Sequence, residues 1–552
     1  MTGKKVLIVG GVAGGASAAT RLRRLDEMAE IVLFERGGHV SFANCGLPYF
    51  IGETIKDRSK LLVATPELLA GRFGIDVRIR SEVIAIDTTR NVVKVNSDAR
   101  GTYEETYDEL ILSPGAKPIR PNWSGVNDAR VMTLRNIPDM DKIKDAVDGG
   151  AIQRVVVIGG GYIGIEMAEN LLDRGLNVTV IEAGKHILSP FDDDMAPWIE
   201  KEVRAKLPSL VTGQKVLELN ANDTAIEIVL DSGERIHAEL IVLAIGVSPD
   251  TEFLVDSGIT LGSRGHIIVN EKMNTSVTNV YAVGDAVEVT HFVNGQKATI
   301  PLAGPANKQG RIAADQIAGI DTGYSGTQGT AIIKWFEWTA ACTGMNERTL
   351  KQLGVPYKVV HVHPQSHASY YPGASQITLK VIFDPQSGRI LGAQGFGKDG
   401  VDKRLDVIAT VIRLRGTVND LVDLELCYAP PFSSAKDPVN MAGMVAENIM
   451  EGLSDVVTAL EWLEAAPEAT SDIQLVDVRT PAEHAQGNIP GSVNIPVDQL
   501  RTRLSELDSG KPVWVYCRVG YRGYTAARIL LQHGFGEVKN LTGGYLSYAA
   551  LI

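Results

Sequence analysis

Residues 155–164 read VVVIGGGYIG, an apolar β-run that breaks into Gly159-Gly160-Gly161-Tyr162-Ile163-Gly164, a complete G-x-G-x-x-G. The first glycine permits a tight turn, the second lets backbone N–H groups approach a pyrophosphate, and the third brings helix and strand together. The next apolar run, 178–181, delivers Glu182, 18 residues after Gly164, where a carboxylate accepts hydrogen bonds from a ribose. A free 2′-hydroxyl suits that acid and a 2′-phosphate does not, so NADH is expected over NADPH, with Lys185 close enough to soften the choice. An imperfect copy stands at the N-terminus. Residues 4–10 form a β-run, the turn reads Gly10-Gly11-Val12-Ala13-Gly14-Gly15 with Val12 in place of the second glycine, and 14–25 have a helical pattern. Residues 31–35 return as a strand that ends at Glu35, 20 residues after Gly15. One glycine-rich turn is often only a tight connection; two of them, each with its acid in place, predict two nucleotide-binding α/β folds in one chain.

Further along, 109–115 (ELILSPG) and 239–246 (ELIVLAIG) read as strands that carry the chain between the two folds. Residues 280–286 (VYAVGDA) put Asp285 and Ala286 just past a buried strand and ahead of a helix-compatible segment, where the acid either caps a helix or binds a cofactor hydroxyl. At roughly 150 residues per domain, 552 residues predict three to four domains. The 44% hydrophobic and 22% charged content is globular, and a net charge of −12 without a Lys/Arg-rich block disfavours nucleic acid. No apolar run reaches the roughly 18 to 20 residues that cross a bilayer, and the apolar stretch 6–9 runs into glycines instead of a signal-peptide core. A cytoplasmic enzyme without membrane association is expected. Cys45, Cys342, Cys427 and Cys517 are too scattered for a disulfide framework, and neither C-x-x-C nor H-E-x-x-H occurs. Asp192-Asp193-Asp194 reads as the acidic cap of a helix N-terminus, so no metal is expected.

The set GGVAGG with Glu35, GGGYIG with Glu182 and VYAVGDA resembles the pyridine nucleotide-disulfide oxidoreductases, flavoproteins with two dinucleotide-binding domains, over residues 1 to about 450. That resemblance implies FAD on the first fold, held by Gly10, Gly15, Glu35, Asp285 and Ala286, with Asp285 on the ribityl chain. It also implies a nicotinamide cofactor on Gly159, Gly161, Gly164 and Glu182, and a third domain that makes a homodimer. Glutathione-reductase-like members carry a C-x4-C pair, whereas residues 41–49, SFANCGLPY, hold Cys45 alone. This segment resembles the signature of coenzyme A-disulfide reductases, persulfide reductases and related NADH oxidases. In those enzymes the lone cysteine pairs with a CoA thiol or becomes a sulfenate, a role implied here for Cys45 as a redox-active centre.

Ser17, Arg21 and Arg24 share one helix face by their i, i+4, i+7 spacing, ordinarily a solvated basic stripe. By the resemblance that face, with Ser41 and Asn44, contacts CoA, whose phosphates suit guanidinium donors. Residues 367–373 (HASYYPG) and 427–437 (CYAPPFSSAKD) resemble the dimer-domain segments of the family, which implies that Tyr370, Tyr428 and Lys436 reach the neighbouring subunit's thiol site and CoA pocket. Cys342 and Cys427 are taken as structural.

A fresh α/β pattern begins near residue 458. Its LVDVR (475–479), Glu483-His484 and GNIPGSVNIP (487–496) segments resemble a single-domain rhodanese. The strand 512–516 leads into Cys517-Arg518-Val519-Gly520-Tyr521-Arg522 and a helical pattern over 524–533. Several backbone N–H groups and two guanidinium groups are expected around Cys517, conditions that favour a thiolate. The six-residue loop 517–522 has the size associated with rhodaneses handling sulfane sulfur, one residue shorter than in related phosphatases.

The expected fold is α/β: two dinucleotide-binding, Rossmann-like domains (FAD at 1–115 and 247–325, NAD(P)H at 116–246), an α+β dimerisation domain (326–452) and a C-terminal α/β rhodanese domain (458–552). The expected activity is NAD(P)H-dependent, FAD-dependent reduction of CoA disulfide, CoA persulfide or polysulfide at Cys45, with Cys517 and Arg522 serving sulfur transfer. Alternatives are an NADH oxidase or peroxidase, and a redox-sensing protein whose rhodanese domain only docks partners.

Overall fold

Parallel strands covered on both faces must be apolar along most of their length, and Lys5–Val9, buried from Val6 onward, meets that demand. In the computed structural model, which describes residues 3–469 and 472–552, this strand is the middle of a five-stranded parallel sheet. The order is Val280–Ala282, Glu109–Leu112, Lys5–Val9, Glu30–Phe34, Asp76–Arg78, with Leu7 opposite both Val32 and Leu110. The helix Ala13–Leu25 leaves the carboxyl end of the middle strand and packs on Ala303–Ile317 so closely that a Cβ on Gly310 would fall 2.2 Å from the Gly14 carbonyl oxygen. A second parallel sheet repeats the plan in the order Leu210–Thr212, Asn177–Glu182, Arg154–Ile158, Leu240–Leu243, Val131–Thr133. In each sheet the glycine-rich turn opens at the carboxyl edge, the position at which open α/β sheets take their ligands.

The two expected crossings meet as an antiparallel ribbon, Ala116–Pro118 against Val247–Pro249. Residues 280–286 depart from expectation. The strand Val280–Ala282 turns at Gly284, whose φ is +84°, through the short 3-10 segment Gly284–Ala286 into a second strand, Val287–Thr290, instead of a helix. The alternating β-branched residues of VEVT favour that outcome. Two three-stranded antiparallel sheets, one from Ser81–Asp87, Val92–Ser97 and Gly101–Thr106 and the other from Val216–Ala221, Ile226–Leu230 and Arg235–Ala238, are additions to the expected pattern.

The chain divides into two compact units, Met1–Ile187 with Ser209–Thr327, and Leu188–Pro208 with Gln328–Ile552. The second unit holds an antiparallel five-stranded sheet in the order Ala331–Trp335, Trp338–Gly344, Ile390–Gly397, Ile377–Phe383, Lys358–Val362, against which the helices Val401–Arg413 and Pro438–Met450 pack. It also holds a parallel sheet in the order Asp455–Val457, Val538–Leu541, Val513–Tyr516, Gln474–Asp477, Val493–Asn494.

The acidic run Asp192-Asp193-Asp194 is no solvated cap. Asp192 and Asp194 are buried, with the Lys380 Nζ 3.0 and 2.6 Å from their carboxylates and in contact with Glu347 as well. Gln394 donates to Asp192 at 2.6 Å, and His361 Nε2 lies 2.9 Å from Asp194. The following helix, Ala196–Lys206, begins after Met195, so these acids stand upstream of its capping position. Three convergent carboxylates could hold a cation, and the Lys380 ammonium fills that role.

Candidate functional site

The two glycine loops are built alike. Gly10 and Gly159 have φ of +93° and +112°, and a Cβ on Gly15 or Gly164 would fall 1.9 Å from the carbonyl oxygen of Gly10 or Gly159. These positions accept only glycine. A Cβ on Gly161 would meet nothing within 4 Å, so that part of the second loop faces open space. Each acid clamps its own loop: Glu35 accepts from Gly11 N–H at 3.0 Å and Gly37 N–H at 2.7 Å, and Glu182 accepts from Gly160 and Gly184 N–H, both at 2.6 Å. A carboxylate oxygen has a second lone pair, so each can still receive a ribose hydroxyl. The donor pattern therefore fits a dinucleotide on both loops. Asp285 receives Arg135 Nη2 at 3.0 Å, and Ala286 beside it is buried.

Cys45 lies in the 3-10 turn Asn44–Gly46, directly before the helix Leu47–Ile51. Its segment is latched to the first glycine loop: Ser41 N–H donates to the Gly11 carbonyl at 2.8 Å, and Ser41 O accepts from Val63 N–H at 2.8 Å. Ser41 holds φ at +46°, a left-handed conformation costly for a non-glycine residue and concentrated at functional sites. Tyr49, four residues after Cys45, donates through its hydroxyl to Glu166 at 3.3 Å. Glu166 sits on the helix Tyr162–Asp173 that follows the second glycine loop. Cys45, Tyr49 and Glu166 thus form one electrostatic group.

Cys45 is exposed, yet surrounding protein desolvates its sulfur. That desolvation, with the charges of Glu166 and Asp285, holds the thiol above its ordinary range against the opposing pull of Arg135. Burial, aided by Glu169, pushes Glu166 up to about 7, while the bond from Tyr49 opposes it. Burial and Glu166 raise the Tyr49 hydroxyl as well. The sequence reading missed Glu166; the signal was an acid on an otherwise apolar helix, in GYIGIE. One consequence is measurable. Above pH 7 Glu166 is mostly anionic and holds the Cys45 proton on, so Glu166→Gln should speed iodoacetamide labelling of Cys45 at pH 8 by on the order of threefold, with little change at pH 6, where Glu166 is already mostly neutral. Equal rates in both proteins at pH 8 would show that Glu166 does not act on the thiol.

On the first helix, Ser17 Oγ donates to Asn307 at 2.7 Å, Arg21 Nε pairs with Asp315 at 2.7 Å, and Arg24 is exposed. Arg21 therefore has a carboxylate partner within the chain. In the second unit the hydroxyls of Tyr370 and Tyr428 lie 3.1 Å apart, with both residues exposed. A buried knot brings their segments together: Arg404 Nη2 donates to Ser366 O at 2.8 Å and pairs with Asp437 at 3.0 Å, Ser433 Oγ donates to Asp437 at 2.6 Å, and Ala368 N–H donates to Ser433 O at 3.1 Å. Lys436, next to Asp437, is exposed.

Cys517 closes the strand Val513–Tyr516 and is buried, and the helix Tyr521–Gln532 starts three residues earlier than expected. The surroundings of its sulfur differ from expectation. Among the described residues one backbone N–H, that of Gly520, is bonded to Sγ, at 3.1 Å. Arg522 lies against Cys517 but is bidentate to Glu483 at 2.7 and 2.8 Å, and Arg518 is exposed. The cause is local: the capping box of Thr480 and Glu483 aims that carboxylate at Arg522, which holds the Glu483 carboxyl down at about 2. Asp477 is buried among Arg479 (2.6 Å), His484 Nδ1 (2.9 Å) and Tyr516 OH (3.0 Å), which ties the LVDVR segment to the strand before Cys517.

Among the described residues no helix is long and apolar enough to cross a membrane. The pyridine nucleotide-disulphide oxidoreductase family matches residues 4–310, its dimerisation domain 330–438, and a rhodanese-like domain 459–551. The chain is 40% identical to a coenzyme A disulfide reductase of Staphylococcus aureus (strain bovine RF122 / ET3-1) over 447 residues, 80% of this chain and all of that one. Reduced Bacillus anthracis CoADR-RHD superposes with a TM-score of 0.96 at 48% identity, over 100% of this chain and 98% of that one. A NAD-dependent persulfide reductase from A. fulgidus follows at 0.90 and 36%, over 99% of both chains. With two glycine loops, the lone Cys45 and these matches in agreement, the chain belongs to the pyridine nucleotide-disulphide oxidoreductase family and carries a rhodanese-like domain over residues 459–551.

Proposed function

We propose that the chain is an FAD-dependent NADH oxidoreductase that reduces CoA-linked disulfide, persulfide or polysulfide at Cys45, coupled to a rhodanese domain that carries sulfane sulfur on Cys517. The observation that carries this reading is one solvent-open thiol in a segment bonded to the first glycine loop, with no second cysteine beside it in residues 41–49. Without a second cysteine in its own segment, Cys45 finds its sulfur partner on a substrate. Bound FAD supplies a two-electron relay between nicotinamide and sulfur. Gly10, Gly15, Glu35, Asp285 and Ala286 are the residues that would hold it. Gly159, Gly161, Gly164 and Glu182 would hold the nicotinamide dinucleotide, with Glu182 favouring NADH.

At the thiol, a Cys45–S–S–CoA bond accepts two electrons and two protons to leave the Cys45 thiol and free CoA; a CoA persulfide accepts the same to leave CoA and hydrogen sulfide. Ser17, Arg24, Ser41 and Asn44 would position CoA, with Arg21 joining them by exchanging Asp315 for a phosphate and, in a homodimer, Lys436 of one protomer reaching the CoA pocket of the other. In a homodimer, Tyr370 and Tyr428 of one protomer would supply a proton or hydrogen bond to the thiolate departing in the other. A tethered Cys517 persulfide would stand at an effective concentration on the order of millimolar if its reach allows, with Arg522 released from Glu483 to bind an anionic sulfur donor. The four-part division at 1–115 with 247–325, 116–246, 326–452 and 458–552, and a cytoplasmic location, belong to the same reading.

Similarity to a CoA disulfide reductase supports the first substrate, and the rhodanese domain together with similarity to a persulfide reductase supports the second. Mass spectrometry of the purified protein, denatured without reductant, tests the thiol chemistry. CoA bound to the Cys45 peptide is expected, and a bare or merely oxygenated Cys45 after incubation with CoA disulfide would favour the oxidase reading. Cys517→Ser should lower polysulfide turnover at least tenfold and leave CoA-disulfide reduction intact. Unchanged polysulfide turnover would break the proposed coupling.

A further inference from the structure

The persulfide loop is braced from outside its own domain. Two consecutive glycines, Gly543 and Gly544, stand at φ +73° and +62° before the short helix Gly544–Ala549. A Cβ on Gly544 would fall 2.5 Å from the Cys517 carbonyl oxygen, and one on Gly543 would fall 2.9 Å from both the His361 Cβ and the His363 Nε2. One glycine therefore presses on the sulfur-bearing loop while its neighbour presses on two histidines at the end of the strand Lys358–Val362. From that helix, Tyr545 N–H donates to the Cys517 carbonyl at 2.7 Å and Leu546 N–H to the Arg518 carbonyl at 3.1 Å. Side chains tie down the helix and the residues that lead into it: His363 Nε2 lies 2.9 Å from Ser547 Oγ in the helix, and Thr542 Oγ1 just upstream accepts from His361 N–H at 2.8 Å.

His363 is well fixed for such a role. Its Nδ1 lies 3.0 Å from Thr378 Oγ1, and its ring packs on Trp198 with centroids 5.2 Å apart. Burial lowers its proton affinity to about 3, so the ring is neutral at working pH, with one nitrogen donating and the other accepting. Thr542, His363 and Ser547 are all more than nine-tenths buried, where an unmade hydrogen bond carries its full cost.

We propose that His363 and Ser547 are positioning residues for sulfur transfer at Cys517: their hydrogen bond fixes the helix Gly544–Ala549, whose backbone holds the Cys517 and Arg518 carbonyls and so sets the loop 517–522. The inference rests on Cys517 as the sulfur carrier, and it places part of the rhodanese machinery in the neighbouring domain. The transfer step it serves is balanced by a simple acceptor: a Cys517 persulfide anion and cyanide give the Cys517 thiolate and thiocyanate.

The full-length protein is assayed with inorganic polysulfide as donor and cyanide as acceptor, and Cys517 labelling by iodoacetamide is followed on its peptide. Ser547→Ala and His363→Ala should each lower kcat for thiocyanate about tenfold, the rate equivalent of one buried hydrogen bond, with KM for cyanide unchanged. Labelling of the buried Cys517 should rise, since an unbraced loop opens. The double variant should be no slower than either single one, because both act through one bond. His363→Gln, whose amide reaches the Nε2 position, should recover most of the rate. A lowered Tm with kcat and labelling intact would reduce the pair to a structural contact and overturn the proposal, as would multiplicative losses in the double variant. If the unmodified protein makes no thiocyanate while labelling still rises in the variants, the carrier role of Cys517 fails and the bracing stands.

Discussion

Cys45→Ser is expected to lower NADH-dependent reduction of CoA disulfide by at least ~10³-fold, the scale on which enzymes lose rate with their nucleophile. A hydroxyl cannot form the sulfur–sulfur bond that links substrate to protein, and no other cysteine stands in the chain near position 45 to replace it. The substitution should leave the fold alone. Cys45 is exposed, serine has nearly the same volume, and an exposed change of this kind shifts stability by less than about 0.5 kcal/mol. Cofactor retention should also survive, because the Glu35 clamp on Gly11 and Gly37 and the latch from Ser41 to Gly11 do not involve the sulfur. The informative result is therefore a yellow, folded protein whose flavin is reduced by NADH but whose turnover of CoA disulfide has gone. Residual turnover above a tenth of the original would remove Cys45 from the mechanism. An oxidase also loses activity with this thiol if it works through a sulfenate, so oxygen consumption must be measured in parallel; a protein that consumed oxygen rapidly and CoA disulfide slowly before mutation would belong to the oxidase reading.

What the sequence disclosed followed from backbone necessity. Gly10, Gly15, Gly159 and Gly164 are forced by positive φ or by carbonyl oxygens 1.9 to 2.0 Å from any added Cβ, so no other residue type could stand there and the motif is readable without a structure. Glu35 and Glu182 are similarly constrained, since each bonds two backbone N–H groups of its own fold. What stayed hidden depends on partners distant in the chain. Glu166 acquires its raised proton affinity from burial and from Glu169, and meets Tyr49 across 117 residues. Arg522 lies beside Cys517 as its place in the loop implies, but its pairing with Glu483, 39 residues away, is invisible to local pattern. The bracing of Cys517 by His363 through Ser547 spans 184 residues. Local pattern reports periodicity and turn chemistry; it is silent on which polar groups meet after folding.

Lys380 carries the second large expectation. It lies mid-strand in Ile377–Phe383, where all seven residues are buried, and its ammonium touches the carboxylates of Asp192, Asp194 and Glu347. The three acids hold the ammonium protonated despite complete burial, and the ammonium with His361 holds Asp194 below the usual carboxylate range. Lys380→Met keeps most of the side-chain volume but leaves those carboxylates facing one another without the ammonium between them, a change of about 3 to 5 kcal/mol against a total stability of roughly 5 to 15. The loss should depend on pH in a defined direction. In the unmodified protein the depressed Asp194 contributes stability that is present above its unfolded value near ~3.9 and fades as pH falls through its folded one. Once the ammonium is gone, the carboxylates can remain buried only by binding protons, so the variant should be weakest at pH 8 and recover toward pH 5. Urea unfolding of the unmodified and variant proteins at the two pH values checks this, and Lys380→Met combined with Asp194→Asn should recover part of the pH 8 loss. Equal destabilisation at pH 5 and pH 8 would mean that the missing contacts, not the uncompensated charge, account for the effect. Because Asp192 and Asp194 belong to Leu188–Pro208, an excursion that leaves the first unit after Ile187 and returns at Ser209, loss of the ammonium should also release this segment, read as faster amide hydrogen exchange in the helix Ala196–Lys206 than in Arg154–Ile158.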